Sequence, residues 1–217
     1  MKLRYSPTSP FVRKVMVTAH ETGLADRLDL VTTNPWDLDT DLNKDNPVNK
    51  VPALVTDGGE MLYDSTVICE YLDSLHDGQK LFPAAGGARW LALRLNAEAD
   101  GMGEAGIRRV LEGRFWPDSQ RQDWIDRNNT IILRCFKSLE DEVDVLSGPV
   151  TIGQVALASI IGWIDFRFTD LKWRDDAPGV ADWFTGFSAR PSMVATEPPT
   201  KKQAVGTDDD PYTRASA

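Results

Sequence analysis

Asn46-Pro47-Val48-Asn49-Lys50-Val51-Pro52-Ala53-Leu54, NPVNKVPAL, places a proline at the start of an apolar strand, and the reading of that proline decides the fold. Proline has no N–H to give a ladder, so Pro52 belongs at the first residue of a strand or on an edge. A trans bond suits an edge strand. A cis bond between Val51 and Pro52 turns the Val51 N–H and C=O away from the ladder, ready to pair with an extended peptide. Both readings stay open on the residues alone.

Downstream of Pro52, Val51–Val55 and Glu60–Tyr63 flank Thr56-Asp57-Gly58-Gly59, whose turn residues predict a hairpin. Asp64-Ser65 then precede TVICEYLDSLH, in which Val67, Ile68, Tyr71, Leu72 and Leu75 mark one buried helical face and Asp64 or Ser65 is the N-cap. Upstream, Leu3–Tyr5 reads as a strand. Pro10 to about Gly23 reads as a helix with Pro10 at its first position and Arg13 and Lys14 on its polar side, and Leu28–Val31 as a second strand. A strand-helix-strand start is a parallel crossover. The segment from Asn34 to Asn46 carries four aspartates and three asparagines with few core residues, which predicts an irregular, exposed connection. Strand, helix, strand, hairpin and helix, over residues 1–80, is the order of a thioredoxin-like domain.

From Gly78 to Gly87 the pattern loses its periodicity and gains Gly and Pro, as a linker does. Beyond it, helical spacing covers Ala88–Leu111, Gln120–Leu146, Val155 to about Leu171, and Gly179–Ala189. The expected fold class is therefore an α/β thioredoxin-like domain followed by an all-α helical-bundle domain at 88–199. The polar stretch 200–217, lacking an apolar face to order it, reads as a flexible tail.

Composition narrows the function. A formal charge of −9 on 217 residues argues against nucleic acid and anionic membranes as partners, because both would repel the chain. A 41% hydrophobic content is enough for a real core. No apolar run reaches the roughly 20 residues that cross a bilayer, and the start of the chain does not read as a signal sequence, so the expected location is cytoplasmic. The two cysteines, Cys69 and Cys135, read as buried or half-buried thiols, and His20 and His76 lack neighbours at ligand spacing, so no metal is expected.

Three positions carry chemistry. Ser9 falls after the first strand and before the helix that opens at Pro10, where free N–H groups and the positive end of the helix dipole favour an anion. As a simple N-cap the same serine would stabilise the helix by about 1 kcal/mol. Asp64-Ser65 repeats the arrangement at the next helix, where it suits a carboxylate and serves equally as a cap. The third is the Val51–Pro52 backbone, and all three fall at one end of the small sheet.

SPFVRKV near residue 10, NPVNKVPAL near 50 and LYDSTVICEYLD near 70 resemble the N-terminal domain of the cytosolic glutathione S-transferases. The later segments AEADG, DFR and TEPP resemble its small bacterial YibF-like members, and the likeness runs to about Pro199. What the resemblance implies is a cytoplasmic, detoxifying homodimer that activates the glutathione thiolate for attack on a hydrophobic electrophile or a peroxide. Glutathione is then a co-substrate, with no metal. Ser9 corresponds to the catalytic serine or cysteine. Phe11, Lys50, Val51, Pro52, Asp64 and Ser65 correspond to glutathione-binding positions, with Pro52 as the cis-proline and Asp64-Ser65 at the γ-glutamyl end. The electrophile pocket is expected between the domains, from Tyr5, Asp100, Glu104, Arg108, Trp163 and Phe166, among residues that serve equally as helical core.

Tyr5 is the rival hydroxyl, since tyrosine near the end of the first strand serves other branches of the family. Two departures from the pattern matter. Many relatives with disulfide chemistry have Cys where this chain has Ser9, and a hydroxyl forms no mixed disulfide, which favours conjugation or peroxide reduction over thiol exchange. The usual Ser/Thr-x-x-Asp at the core helix of the second domain is here Thr151-Ile152-Gly153-Gln154, where Gln still closes a capping box. A noncatalytic glutathione- or peptide-binding protein of the same fold is the alternative function. A thioredoxin-type reductase is a third, opposed by the lack of a cysteine near residue 9.

Overall fold

The computed structural model describes residues 1–199; the expected tail at 200–217 lies outside the described residues. The chain divides into two units, Met1–Lys80 together with Ala195 onward, and Leu81–Val194.

In the first unit β1 (Lys2–Tyr5), α1 (Pro10–Glu21), β2 (Asp29–Thr32), β3 (Ala53–Val55), β4 (Met61–Leu62) and α2 (Ser65–Ser74) follow the expected order. They form a four-stranded sheet ordered β2-β1-β3-β4. β1 and β2 are parallel, with Leu3 opposite Leu30, because a helix joins them and carries the chain back. β3 runs antiparallel to β1, with Arg4 opposite Ala53, and β4 antiparallel to β3, with Leu54 opposite Leu62. Leu3 and Leu54, neighbours across the ladder, are fully buried with Val12, Val15, Ile68 and Leu72 of the two helices.

Burial departs from the predicted helix faces in two places. Lys14, assigned to the polar side of α1, is 0% exposed, because it lies on the face that α1 turns to α2. Val67 and Leu75, assigned to the buried face of α2, are 46% and 37% exposed; the buried stripe is Ser65, Ile68, Cys69, Leu72 and Asp73, which includes two polar residues that hydrophobicity alone passes over. Cys69 is buried and Cys135 half-buried, both as free thiols, and burial raises the Cys135 thiol to about 11.

The acidic connection 34–46 is tied down. Arg4 on β1 sends Nη1 to Asp41 Oδ1 (2.8 Å) and Nε to Asp45 Oδ2 (2.6 Å), Lys2 Nζ reaches Asp45 Oδ2 at 2.7 Å, and Leu42 is fully buried. Sequence patterning predicts an exposed connection; Asp41 is exposed and Asp45 buried, and both pair with a nearly buried arginine.

The second unit consists of α3 (Gly86–Phe115), α4 (Gln122–Asp141), α5 (Ile152–Arg167), α6 (Trp173–Asp176), α7 (Pro178–Ser188) and α8 (Pro191–Val194). α3 is longer than predicted at both ends. The pattern read as continuous helix to Leu146 breaks after Asp141 into a 3-10 turn at Val143–Ser147, and α5 stops at Arg167 rather than at Leu171. α5 is the core helix, buried from Ile152 through Ile161 and again at Trp163 and Ile164, so it has no polar stripe. Its capping box closes with glutamine: Gly153 N–H donates to Thr151 Oγ1 (3.3 Å) and Thr151 N–H to Gln154 Oε1 (2.9 Å). Gly153 packs so closely on α3 that a Cβ would lie 2.8 Å from Leu95 Cβ and 3.1 Å from the Ala92 carbonyl oxygen. α7 is capped from another element, by the Glu140 carboxylate of α4, which accepts from Gly179 N–H at 3.0 Å and Val180 N–H at 2.9 Å.

Each unit holds acids whose pairing favours the charged form. Glu112, its side chain 1% exposed, accepts from Arg121 Nε, Nη2 and backbone N–H, which holds its carboxyl down at about 2. Burial pushes Asp45 up, but hydrogen bonds from Lys2 and Arg4 outweigh it and the group ends below the usual range; Asp41 is lowered chiefly by Arg4. A depressed folded value makes these contributions fully present above the unfolded value of about 4 and lost as pH falls toward the folded one. The thermal midpoint should therefore drop steeply between about pH 4 and pH 2, and Glu112→Gln should flatten that drop. Equal acid sensitivity in wild type and Glu112→Gln would remove the Glu112 assignment.

Candidate active site

Strand register brings the sequence-distant candidates to one end of the sheet. Arg4 faces Ala53, so one step further along the ladder sets Tyr5 beside Pro52; β4 runs in the same sense as β1 and leads, two residues after Leu62, to Asp64. The chain thus leaves β1 toward Ser9, enters β3 from Val51 and leaves β4 toward Ser65, all at that end.

Ser9 is the N-cap of α1 with extended backbone at φ −84° and ψ 126°. Its Oγ accepts the Val12 N–H at 3.3 Å. That bond uses a lone pair, and a hydroxyl that accepts retains its O–H as a donor. Capping and donation are therefore compatible in one side chain. Phe11, half-buried in the first turn, has Lys14 Nζ over its ring at 5.8 Å from the centroid.

The Val51–Pro52 bond is cis. The ladder begins at Ala53, so Val51 precedes it; Val51 is half-buried, Pro52 buried and Lys50 exposed. Asn46 shapes this approach, its Nδ2 donating to the Lys50 carbonyl at 2.8 Å and its Oδ1 accepting from Val48 N–H at 3.0 Å. Asn49 stands at φ 55°, the left-handed region that asparagine tolerates. The Tyr63–Asp64 bond is also cis. Asp64, exposed, is the N-cap of α2 and accepts from Thr66 N–H at 3.0 Å, with Ser65 buried beside it.

Tyr5 is half-buried, and burial raises its phenol above the ordinary range, which disfavours a tyrosinate. The electrophile candidates of the second unit differ among themselves. Asp100 is half-buried and accepts from Asn96 Nδ2 at 3.0 Å; Glu104 and Arg108 are exposed and paired with each other at 2.9 Å. Phe166 is half-buried. Trp163 is 3% exposed, set edge-on to Phe168 over Gly106, whose Cβ would fall 2.5 Å from the indole: within its unit it is core.

The residue that sequence reasoning missed is Lys14, whose Nζ lies 3.2 Å from Thr66 Oγ1. A usable signal was present. Phe11, Lys14 and Thr18 recur at helical spacing, with Thr18 and Lys14 both fully buried, and a lysine on that stripe marks a polar contact inside the helix pair.

A thioredoxin-like sheet with a cis-proline ahead of β3 and two helix N-termini at its open end, on a chain that continues as a helical bundle, defines the glutathione transferase architecture. The chain belongs to the glutathione S-transferase family: residues 8–75 match the glutathione S-transferase N-terminal domain and residues 122–186 its C-terminal domain. It is 30% identical over 202 residues to the uncharacterized GST-like protein YibF of Escherichia coli, covering 92% of this chain and 99% of that protein. Among solved structures it resembles a glutathione transferase family member from Pseudomonas fluorescens Pf-5 with bound glutathione, at 42% identity and TM-score 0.88, over 92% of this chain and 99% of the other. A glutathione S-transferase from Methylobacillus flagellatus with glutathione bound is 30% identical at TM-score 0.83, over 91% and 99% of the two chains.

Proposed function

We propose that the protein is a glutathione transferase in which the Ser9 hydroxyl donates a hydrogen bond to the glutathione sulfur and so stabilises it as thiolate. Glutathione lies extended across the sheet end, its backbone paired with Val51, its γ-glutamyl group at Asp64-Ser65, and Phe11, Lys50 and Pro52 around it. The observation that carries this reading is Ser9 Oγ at the mouth of α1, accepting from Val12 and still able to donate. The glutathione held by the Pseudomonas and Methylobacillus relatives supports the ligand.

A free thiol ionises near 8.5, so at neutral pH it is mostly the weaker nucleophile. The Ser9 O–H and the N-terminal end of α1 both favour the anion. The thiol proton passes to solvent as the thiolate forms, and the thiolate then forms a C–S bond to an electrophilic carbon while the leaving group departs with the electron pair. The working form is a cytoplasmic homodimer; no helix among the described residues is long and apolar enough to cross a membrane.

Glutathione titration followed by assay with an aryl halide and a peroxide tests the proposal. Binding in the millimolar range or tighter with turnover of either substrate is expected. Binding without turnover across several electrophiles would turn the reading to a noncatalytic glutathione-binding protein, and no binding would end it.

A further inference from the structure

Asn46 opens the turn that leads into β3, and at 2% exposed it is a buried amide among neighbours that face solvent at Pro47, Val48 and Lys50. Its backbone N–H donates to the Leu42 carbonyl at 2.8 Å, and its own carbonyl accepts from Asn49 N–H at 2.9 Å. The side chain spans the turn, Oδ1 accepting from Val48 N–H at 3.0 Å and Nδ2 donating to the Lys50 carbonyl at 2.8 Å. The base of the turn is fixed, because Leu42 is fully buried and Asp45 pairs with Lys2 and Arg4 of β1 at 2.7 and 2.6 Å. Asn49 Nδ2 adds a tie to the Pro35 carbonyl at 3.2 Å. Among the described residues, the Lys50 carbonyl accepts its hydrogen bond from Asn46 alone.

That carbonyl matters because of what shares its peptide plane. The Lys50–Val51 bond is trans, so the Lys50 C=O and the Val51 N–H lie in one plane and point in opposite directions. Holding the oxygen on Asn46 therefore aims the Val51 N–H away from the turn. Val51 precedes the ladder, which begins at Ala53, and its N–H has no partner among the described residues. A buried amide behind the peptide unit thus presets a donor on its other side.

We infer that Asn46 is a positioning residue: by holding the Lys50 carbonyl it orients the Val51 N–H toward the cysteinyl carbonyl of glutathione. This rests on the reading of Val51 as the point where the peptide pairs. With the sulfur at Ser9 and the γ-glutamyl group at Asp64-Ser65, the central cysteinyl unit is the one that faces Val51.

The test compares calorimetric affinities of the full chain for three thiols: glutathione, γ-glutamylcysteine ethylamide, which lacks only the glycine carboxylate, and γ-glutamylcysteamine, which lacks the cysteinyl carbonyl together with the glycine. Wild type should bind the first two more tightly than the third. Asn46→Ser keeps an oxygen for Val48 N–H but is too short for Lys50, and Asn46→Asp keeps the shape while setting an acceptor against the Lys50 carbonyl. Asn46→Ser should lose about fivefold and Asn46→Asp about tenfold, alike for glutathione and the ethylamide, with γ-glutamylcysteamine changed by less than about twofold. Equal losses for all three thiols would show a merely structural role and overturn the inference. A loss for glutathione alone would move the effect to the glycine carboxylate and overturn it too, as would no loss for any. Should Asn46→Asp not fold, Asn46→Ser decides with the same three ligands. A wild-type protein that binds γ-glutamylcysteamine as tightly as the ethylamide would overturn the pairing at Val51 itself and this inference with it.

Discussion

Ser9→Ala should raise the ionisation of bound glutathione back toward the free-thiol value of about 8.5 and lower kcat/KM for conjugation near neutral pH by about 10²–10³, the usual effect of deleting one donor to a developing or stabilised anion. Glutathione affinity should change little, since Val51 and Asp64-Ser65 hold the peptide and neither is touched. The substitution also deletes the cap on Val12 N–H, which costs about 1 kcal/mol of stability and could depress activity for an uninteresting reason. Ser9→Gly separates the two effects, because glycine at an N-cap costs only a few tenths of a kcal/mol while removing the hydroxyl as completely. Thiolate absorbance followed across pH reads ionisation directly. Tyr5→Phe should leave that titration where it is. A thiolate that titrates alike in wild type, Ser9→Ala and Ser9→Gly, and shifts in Tyr5→Phe, would transfer the role to Tyr5.

Phe136→Ala should destabilise the protein by about 3–5 kcal/mol, a large share of the 5–15 kcal/mol that holds a typical domain. Phe136 on α4 is fully buried and stacks on Trp173 with centroids 4.1 Å apart and planes 6° from parallel. Truncation opens a cavity against an indole that cannot follow the lost ring. Trp173 is held on its other side, its Nε1 donating to Asp165 Oδ1 at 2.9 Å, while Arg174 closes on both oxygens of the same carboxylate at 2.8 and 2.6 Å. Relaxation into the gap would break those bonds. The urea midpoint measures the loss, and a change below about 1 kcal/mol would mean that the cavity collapses freely.

Long, periodic elements were legible. The α1 pattern, the hairpin around Thr56-Asp57-Gly58-Gly59 and the capping box at Thr151 all rest on short-range chemistry, and the structure carries each of them. α6 was not legible. Its four residues, Trp-Arg-Asp-Asp, contain one apolar side chain and no repeat, and they are helical because Trp173 docks on Phe136. The Glu140 cap of α7 was invisible for a related reason: it lies 39 residues from the N–H group it satisfies. At the site, Ser9, Pro52 and Asp64-Ser65 announce themselves by residue type, whereas Lys14 looks like any surface lysine until α2 covers it.

The amino-acid order alone determined that strands and helices alternate as they do, that a hydroxyl stands where α1 begins, and that a proline opens β3. These follow from backbone sterics and hydrogen bonds spanning a few residues. Only the tertiary structure decided that the Val51–Pro52 bond is cis, that the ends of β1 and β4 and the start of β3 lie at one end of the sheet, and that Lys14 and Arg4 are buried rather than solvated. Those outcomes depend on which distant surfaces meet, and whether a charge can leave water is settled by the groups that arrive from elsewhere to receive it.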